Sequence, residues 1–459
     1  MALNKGFIVI FGLFLIAFSK KGCIIGSSSP EEYPFYPMAL TYSLKFKKLN
    51  FYNKVVLEKE GEIVVDRGSF RLKGKGAQDQ GEVIFFSDMK DLHTRDDMLS
   101  FSTFSKEKYV LSGFSNLFDV FLRDFMRVRN EYFADTLFMR SGMLMHEYEG
   151  TVEIENSFGK IIPRGKSRIQ FYEGSIVIIP ETRECFPVYY GLIKGHEFDD
   201  SDYVLRLFLF NGQNIHISKL GTSFDDVKET MESLLGKMYE KAVNALTEFL
   251  PGFDATTLLK LVFLVKEGRL IPFKALKKIH EEMPERVGEL LFGANPAMKE
   301  KALLLRRMGG DENFYISISF GKSRETGDIF LRTWFLQALP DKNLVATGRT
   351  SGADDNVIHF FRIIMHQGDP LEKLEAKILE IDQSMLVFRY DFSVVYKDRR
   401  ELRKSKFKVA LRKLSFLRLL RKSYIGYSCA TDIDRFKEDL ENIFIKAAAP
   451  SETVVAAAR

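Results

Sequence analysis

Alternation between short strand-like runs and a single amphipathic helix, repeated in blocks, constrains this chain more than any other feature. In residues 54–57, 62–65, 69–72, 83–86, 98–104 and 109–111, apolar side chains fall at period two, with Gly, Asp and Lys turns between the runs. Period two marks a half-buried strand, because successive side chains leave the backbone on opposite faces. The period then changes. Leu117, Phe118, Phe121, Leu122, Phe125 and Val128 recur at helical spacing, with Ser115 or Asn116 placed as a cap.

The same order returns downstream. Residues 150–155, 167–171, 175–179, 188–193, 203–210 and 214–218 read as strands, with Asn211-Gly212 marking a hairpin. A helix follows from Ser223, its apolar side formed by Val227, Met231, Leu234, Leu235 and Met238, with Asp225 and Asp226 at the positive end of the helix dipole. A third block has strand-like runs at 314–320, 329–335, 344–347, 357–365 and 385–396, then a helix over 432–445 with Ile433, Phe436, Leu440, Ile443 and Phe444 inward. The closing helices begin near Ser115, Ser223 and Thr431, so the second interval exceeds the first by about 100 residues, room for an insertion in a repeat.

A unit of about 100 residues, with six or seven antiparallel strands closed by one C-terminal helix, fits a pleckstrin-homology-like (PH-like) barrel: a strongly bent sheet leaves an apolar corner that the helix covers. Unrelated α+β topologies are the alternative. The inserted segment is helical. Residues 256–265 carry Leu258, Leu259, Val262, Phe263 and Val265 up to Gly268, a short extended piece spans 270–273, and helices follow at 274–280, 284–292 and 297–308 before Gly309-Gly310. Pro284 suits a first helical turn. This layout is that of a winged helix. Its candidate recognition helix, 284–292, exposes Glu285, Arg286 and Glu289, which a polyanion disfavours, although Lys274, Lys277 and Lys278 precede it. Protein–protein contact is therefore expected of it before DNA.

The expected fold class is α+β: tandem PH-like β-barrels, each closed by a C-terminal helix, around an inserted winged-helix domain. The domain boundaries are residues 1–49 for an apolar leader and spacer, 50–140 and 141–245 for two PH-like units, 246–309 for the winged helix, 310–446 for a third β-rich unit with a basic helix, and 447–459 for a tail. Within the leader, residues 6–18 form an apolar run flanked by Lys5 and Lys20-Lys21. A bilayer span takes about 20 apolar residues, so a single anchor, a cleaved signal and a true start at Met38 all remain open. Three scattered cysteines, Cys23, Cys185 and Cys429, argue against a disulfide framework and for buried thiols in a reducing compartment. The expected location is cytoplasmic, with or without membrane association; anchoring through residues 6–18 is the alternative.

Charge is most uneven over 397–422. Lys397, Arg399, Arg400, Arg403, Lys404, Lys406, Lys408, Arg412, Lys413, Arg418, Arg421 and Lys422 are opposed there only by Asp398 and Glu401. Phe407, Ala410, Leu411, Leu414 and Leu417 recur at three- and four-residue spacing, which predicts an amphipathic helix. Three uses stay open: lying on an anionic membrane surface, docking an acidic protein partner, or packing on the third β unit with its charges solvated. These twelve cations are the candidate partner- or anion-binding residues.

Catalytic and cofactor motifs fail on inspection. Gly165-Lys166-Ser167 and Gly321-Lys322-Ser323 resemble the end of a phosphate-binding loop, but Lys160 and Ile316 stand where its first glycine belongs. Lys73-Gly74-Lys75-Gly76 reads as a flexible turn before an anion loop. His196, Glu197, Asp199, Asp200 and Asp202 lack the fixed glycine and terminal bidentate acid of a calcium loop. Neither G-x-S-x-G nor H-E-x-x-H occurs, and His359 and His366 have no cysteine nearby. No cofactor, metal or enzymatic activity is expected.

Two tandem PH-like units followed by a winged helix resemble the CheF family of archaeal taxis adaptors. The likeness is architectural and covers residues 50–308, anchored by Val110-Leu111-Ser112-Gly113 running into the helix after Leu117, and by Asp254-Ala255-Thr256-Thr257-Leu258 within 253–273. The resemblance implies a non-catalytic cytoplasmic adaptor that links a chemotaxis system, through partners such as a CheY-like response regulator, to the archaellum motor. The apolar leader and the third β unit depart from the family pattern. A peripheral membrane protein binding anionic lipids, and a winged-helix DNA-binding regulator, are the alternatives.

Overall fold

The computed structural model describes residues 40–76, 79–266, 268–322, 329–350, 356–363, 377–378, 381–382, 384, 387–388, 393–403 and 407–448. These form a mixed α+β body of curled antiparallel sheets and packed helices. No helix among the described residues is long and apolar enough to cross a membrane.

The first seven strands are β1 (Leu40–Leu49), β2 (Val55–Asp66), β3 (Ser69–Gly74), β4 (Glu82–Phe85), β5 (Met89–Arg95), β6 (Met98–Thr103) and β7 (Lys108–Ser112). They hydrogen-bond in the order β4-β3-β2-β1-β7-β6-β5, and α1 (Phe118–Thr136) follows. The next seven are β8 (Leu144–Glu155), β9 (Ile161–Tyr172), β10 (Ser175–Pro180), β11 (Phe186–Tyr189), β12 (Ile193–Asp199), β13 (Val204–Leu209) and β14 (Asn214–Ser218). Their order, β11-β10-β9-β8-β14-β13-β12, repeats the first, and α2 (Phe224–Phe249) follows.

The duplication reaches single residues. A bulge between Met89 and Asp91 in the β5–β6 ladder returns between Ile193 and Gly195 in β12–β13. Left-handed backbone falls at Asn53 and Gly159, Asp97 and Tyr203, Lys106 and Gly212, Gly113 and Lys219, and Ser115 and Gly221, every pair 106 positions apart. These turns need positive φ. Where one copy has glycine and the other a residue with a Cβ, the latter bears a local cost of about 1 kcal/mol. Two separate cores result. In the first, Phe70 meets Phe101 and Phe125 edge to face at 5.5 and 5.4 Å; in the second, Ile169, Ile178, Leu205 and Ile217 pack under Phe224, Val227 and Met231.

Helices α3 (Ala255–Val265), α4 (Met283–Phe292) and α5 (Pro296–Gly309) follow, with β15 (Ile271–Pro272) between the first two. Asp254 caps α3 by accepting the Thr257 N–H at 3.0 Å, and Asn295 caps α5 by accepting that of Met298 at 2.9 Å. The third sheet then adds β16 (Phe314–Lys322), β17 (Ile329–Leu339), β18 (Leu344–Arg349), β19 (Ile358–Arg362) and β20 (Tyr424–Ser428), in the order β15-β16-β17-β18-β19-β20. Between β19 and β20 lie α6 (Ser393–Tyr396), α7 (Arg399–Arg403), α8 (Lys408–Lys413) and α9 (Ser415–Ser423); α10 (Ile433–Ala448) closes the described chain.

Several sequence expectations are corrected here. The third β unit is no copy of the first two: its six strands run in simple sequence, and it is buried on both faces. Phe335, Leu344, Ala346 and Phe360 join a core with α3, α4, α5 and α10, whereas Trp334, Leu336, Val345 and Phe361 join the core of the first unit. Because β15 pairs with β16, and both share that core with the helices, the boundary drawn at 309/310 divides one packed body. Residues 40–49, assigned to the leader and spacer, are the central strand β1. The strand expected at 385–396 is helical where described, over Ser393–Tyr396. Strand β5 was missed because Met89–Arg95 alternates weakly, and the strand expected at 188–193 is split by a 3-10 turn at Tyr190–Leu192. The helix expected at 274–280 is a 3-10 turn, Phe273–Lys278.

Candidate functional site

The basic segment forms no continuous amphipathic helix. Leu414 is extended between α8 and α9, and the break lets α8 contact the 3-10 turn Phe86–Asp88 of the first unit while α9 contacts β19 and α6. The apolar residues read from the sequence do face inward. Phe407, Ala410 and Leu417 are buried, and Leu411 and Leu414 are half-buried, all in the core that joins the third sheet to the first unit. Phe407 lies against Phe138 and Phe388, ring centres 5.5 and 5.8 Å away.

Two of the twelve candidate cations reach the first unit, and a third braces α9 within its own unit. Arg412 pairs with Asp88, the Lys413 ammonium donates to the Met89 carbonyl, and Arg421 donates to the carbonyls of Val394 and Lys397 at 2.6 and 2.9 Å. Lys413 also sits over the rings of Phe133 and Phe104, at 5.1 and 5.8 Å. Burial, then the nearby Arg129 charge, push its ammonium down to about 8. Lys397, Arg400, Lys408, Arg418 and Lys422 stand exposed. Arg399 and Arg403 lie on α7, while Lys404 and Lys406 lie outside the described residues. The predicted surface is thus split between an internal joint and an exposed cationic rim.

Beside this joint, α1 ties the two β units together through residues that carry no sequence motif. The Asn130 side chain donates to the carbonyls of Pro180 and Arg183 at 3.2 and 2.8 Å and accepts the Cys185 N–H at 3.2 Å. Glu131 is held by Arg140 and by Arg168 of β9. Burial alone would raise its carboxyl, but the two guanidiniums outweigh that and keep it below the usual range. Arg129 is fully buried, pairs with Glu184 and lies 4.6 Å over the Phe133 ring. The one available signal was Arg129-Asn130-Glu131 interrupting the apolar face of an otherwise regular helix: buried polar residues need partners outside their own helix. Cys185 is buried here, its thiol pushed up to about 12, which makes it inert; Cys429 is exposed, against expectation.

A cavity of about 250 Å³ separates the second unit from α3, lined by Ile193, His196, Leu235, Tyr239, Phe263 and Lys266. Lys266, with φ 42°, donates to the Ile193 carbonyl, and burial followed by the Arg269 charge pushes its ammonium down to about 8. Among the described residues, no group of three or more His, Cys, Asp or Glu side chains is placed to hold a metal ion. In the acidic loop, Asp199 pairs with Arg206 and accepts from Ser201, and Asp200 pairs with Lys228. Lys73 and Lys75 pair with Glu62 and Glu60, and Lys166 lies on β9 paired with Glu149 and Glu181. No family model matches the chain, and no curated protein is similar to it.

Proposed function

We propose that the protein is a non-catalytic adaptor, built from two PH-like units and a winged-helix domain, that carries a chemotaxis signal by protein–protein contact from a CheY-like response regulator towards the archaellum motor. The observation that carries this reading is the duplicated strand order, each copy followed by a helix and the pair followed by α3, β15, α4 and α5. That succession is what the CheF resemblance implies. The packing of α1 supports it: with Asn130 and Glu131 bonded into the second unit, the tandem presents both units at one fixed angle, which lowers the ordering cost of a shared partner. The exposed rim of Lys397, Arg400, Lys408, Arg418 and Lys422 supplies the field to steer an acidic partner.

Titration calorimetry of the full chain against a CheY-like regulator, with and without a phosphoryl mimic, tests this. The expected outcome is binding that the mimic strengthens and that weakens at least about tenfold when the five rim cations become Glu. No binding to either form, with the fold intact, would overturn it. In α4, Arg286 is engaged with the Pro251 carbonyl and with Glu289, and Glu285 and Glu289 are exposed, which keeps DNA the weaker reading.

A further inference from the structure

The tips of the β1–β2 and β8–β9 hairpins are built alike. Residues 50–56 read Asn-Phe-Tyr-Asn-Lys-Val-Val and residues 156–162 read Asn-Ser-Phe-Gly-Lys-Ile-Ile, 106 positions apart throughout. Asn50 Oδ1 accepts the N–H groups of Tyr52 and Lys54, both at 3.0 Å, and Asn156 Oδ1 accepts those of Phe158 and Lys160 at 3.0 and 2.9 Å. Each asparagine also donates its own N–H to the carbonyl of that lysine at 3.0 Å. With Asn53 and Gly159 in the left-handed region, both turns are fixed.

What these frames hold out is apolar. Tyr52 is 77% exposed, Phe51 65% and Val56 63%, while Phe158 is 92% exposed and Ile161 55%. Turn tips ordinarily carry polar side chains, and clustered exposed apolar ones mark a contact surface. Cations stand behind them. Lys106 lies 5.4 Å over the Phe51 ring, and Lys108 donates to Asn53 Oδ1 at 2.6 Å. Among the described residues Lys54, Lys106, Lys108 and Lys160 make no ion pair, whereas Glu58 and Glu60 of the first hairpin are already paired, with Lys47 and with Lys45 and Lys75.

We propose that the two tips insert into the surface of an anionic lipid bilayer. Rings and β-branched side chains enter the boundary between headgroups and acyl chains, and the lysines behind them reach the phosphates. The pattern of replacement between the copies favours lipid over a protein groove. Phe51 gives way to Ser157, but Tyr52 becomes Phe158 and Val55-Val56 becomes Ile161-Ile162, with class kept and shape changed at those three positions. A fluid acceptor takes any of these, whereas a packed pocket selects by volume. Only the first tip has three unpaired lysines, so its binding is the more salt-sensitive.

Flotation of the full chain with phosphatidylcholine vesicles, with and without phosphatidylserine, tests the proposal. The wild type floats with the mixed vesicles; Tyr52→Ser and Val56→Ser combined with Phe158→Ser and Ile161→Ser lowers that partition at least about tenfold while leaving the circular dichroism unchanged. As a local probe, Tyr52→Trp and Phe158→Trp each blue-shift on vesicle addition and are quenched by brominated acyl chains. Failure of the wild type to float, equal flotation of the serine variant, or unshifted tryptophans overturns the proposal. So does sedimentation velocity showing a lipid-independent dimer that the serine variant dissociates. Regulator binding by the serine variant is read separately, so the adaptor reading and this one fail independently.

Discussion

The third strand of each β unit shows what separates two copies of one backbone. In β3 the residues Phe70 and Leu72 point into their own core, while Arg71 is exposed and Lys73 pairs with Glu62. In β10 the inward residues are Ile176 and Ile178, but the outward ones are Val177 and Ile179, and all four are buried. Val177 and Ile179 belong to the core that contains Phe133, Ala134 and Met139 of the first unit, not to their own. The two strands share order, length and register; they differ only in what lies outside them. A strand covered on one face alternates, and a strand covered on both does not.

The sharpest way to break this comparison is to exchange the outward residues. Val177→Lys puts an unpaired charge between β10 and α1 and is expected to cost about 3–5 kcal/mol in urea denaturation, whereas Arg71→Val, its counterpart, should stay within about 0.5 kcal/mol. Similar losses at both positions would mean that α1 does not seal the second unit.

Charge pairs sharpen the same contrast at smaller size. Glu131→Gln leaves Arg140 and Arg168 without their shared carboxylate in a mostly buried joint, and about 2–3 kcal/mol of stability should go with it. The sign with pH follows: this carboxyl lies below its unfolded value, so its contribution is complete above the ordinary glutamate range and is lost as pH falls through the depressed pKa. The first unit's Lys45–Glu60 pair bridges exposed side chains, and Glu60→Gln should leave the urea midpoint unmoved.

The third sheet responds to acid in its own way. Burial pushes His359 down to about 4, against about 6.5 in an unfolded chain, so between those values only the unfolded state takes the proton. Stability should fall by roughly 1–3 kcal/mol as pH drops from about 6.5 to 4, and His359→Phe should flatten that dependence while leaving the Glu131 loss at lower pH in place.

These contrasts also explain which parts of the fold were legible in the sequence. Alternation in β3 and the unbroken apolar run of β10 were both visible, as was the helix face from Phe118 to Phe125; the Asp254 cap of α3 emerged only with the structure. The repeat itself was visible as blocks, read as three where the strand order is shared by two, and its residue-level period emerged only with the paired turns. Residues 40–49 were lost because a strand with an ordinary alternating pattern directly followed a spacer. The third sheet was misread because Ile358–Arg362 pairs with Tyr424–Ser428 across 61 intervening residues, and no local period reports so distant a partner. The basic segment was legible as charge but not as architecture: Arg412 and Arg418 look alike in sequence, yet only the first meets a carboxylate of another unit.

That last difference yields the smallest and most discriminating effect. Arg412 and Lys413 are neighbours on α8, and both reach the first unit, but their surroundings oppose each other. Arg412 pairs with Asp88 where both side chains keep about a third of their surface in water, so a double-mutant cycle should return about 0.5 kcal/mol of coupling, shrinking with salt. Lys413 is the reverse case. Its ammonium is poorly hydrated, lies near the Arg129 charge and is pushed down to about 8, so the folded state resists its proton. Lys413→Met keeps an unbranched apolar stem and removes the charge that sits over Phe133, and should leave stability unchanged or raise it by about 0.5 kcal/mol at neutral pH. Arg412→Met should lower it by a similar amount. Equal losses at the two positions would show that the segment is held by net charge; opposite signs would show that it is held by packing, with the exposed cations left over for a partner.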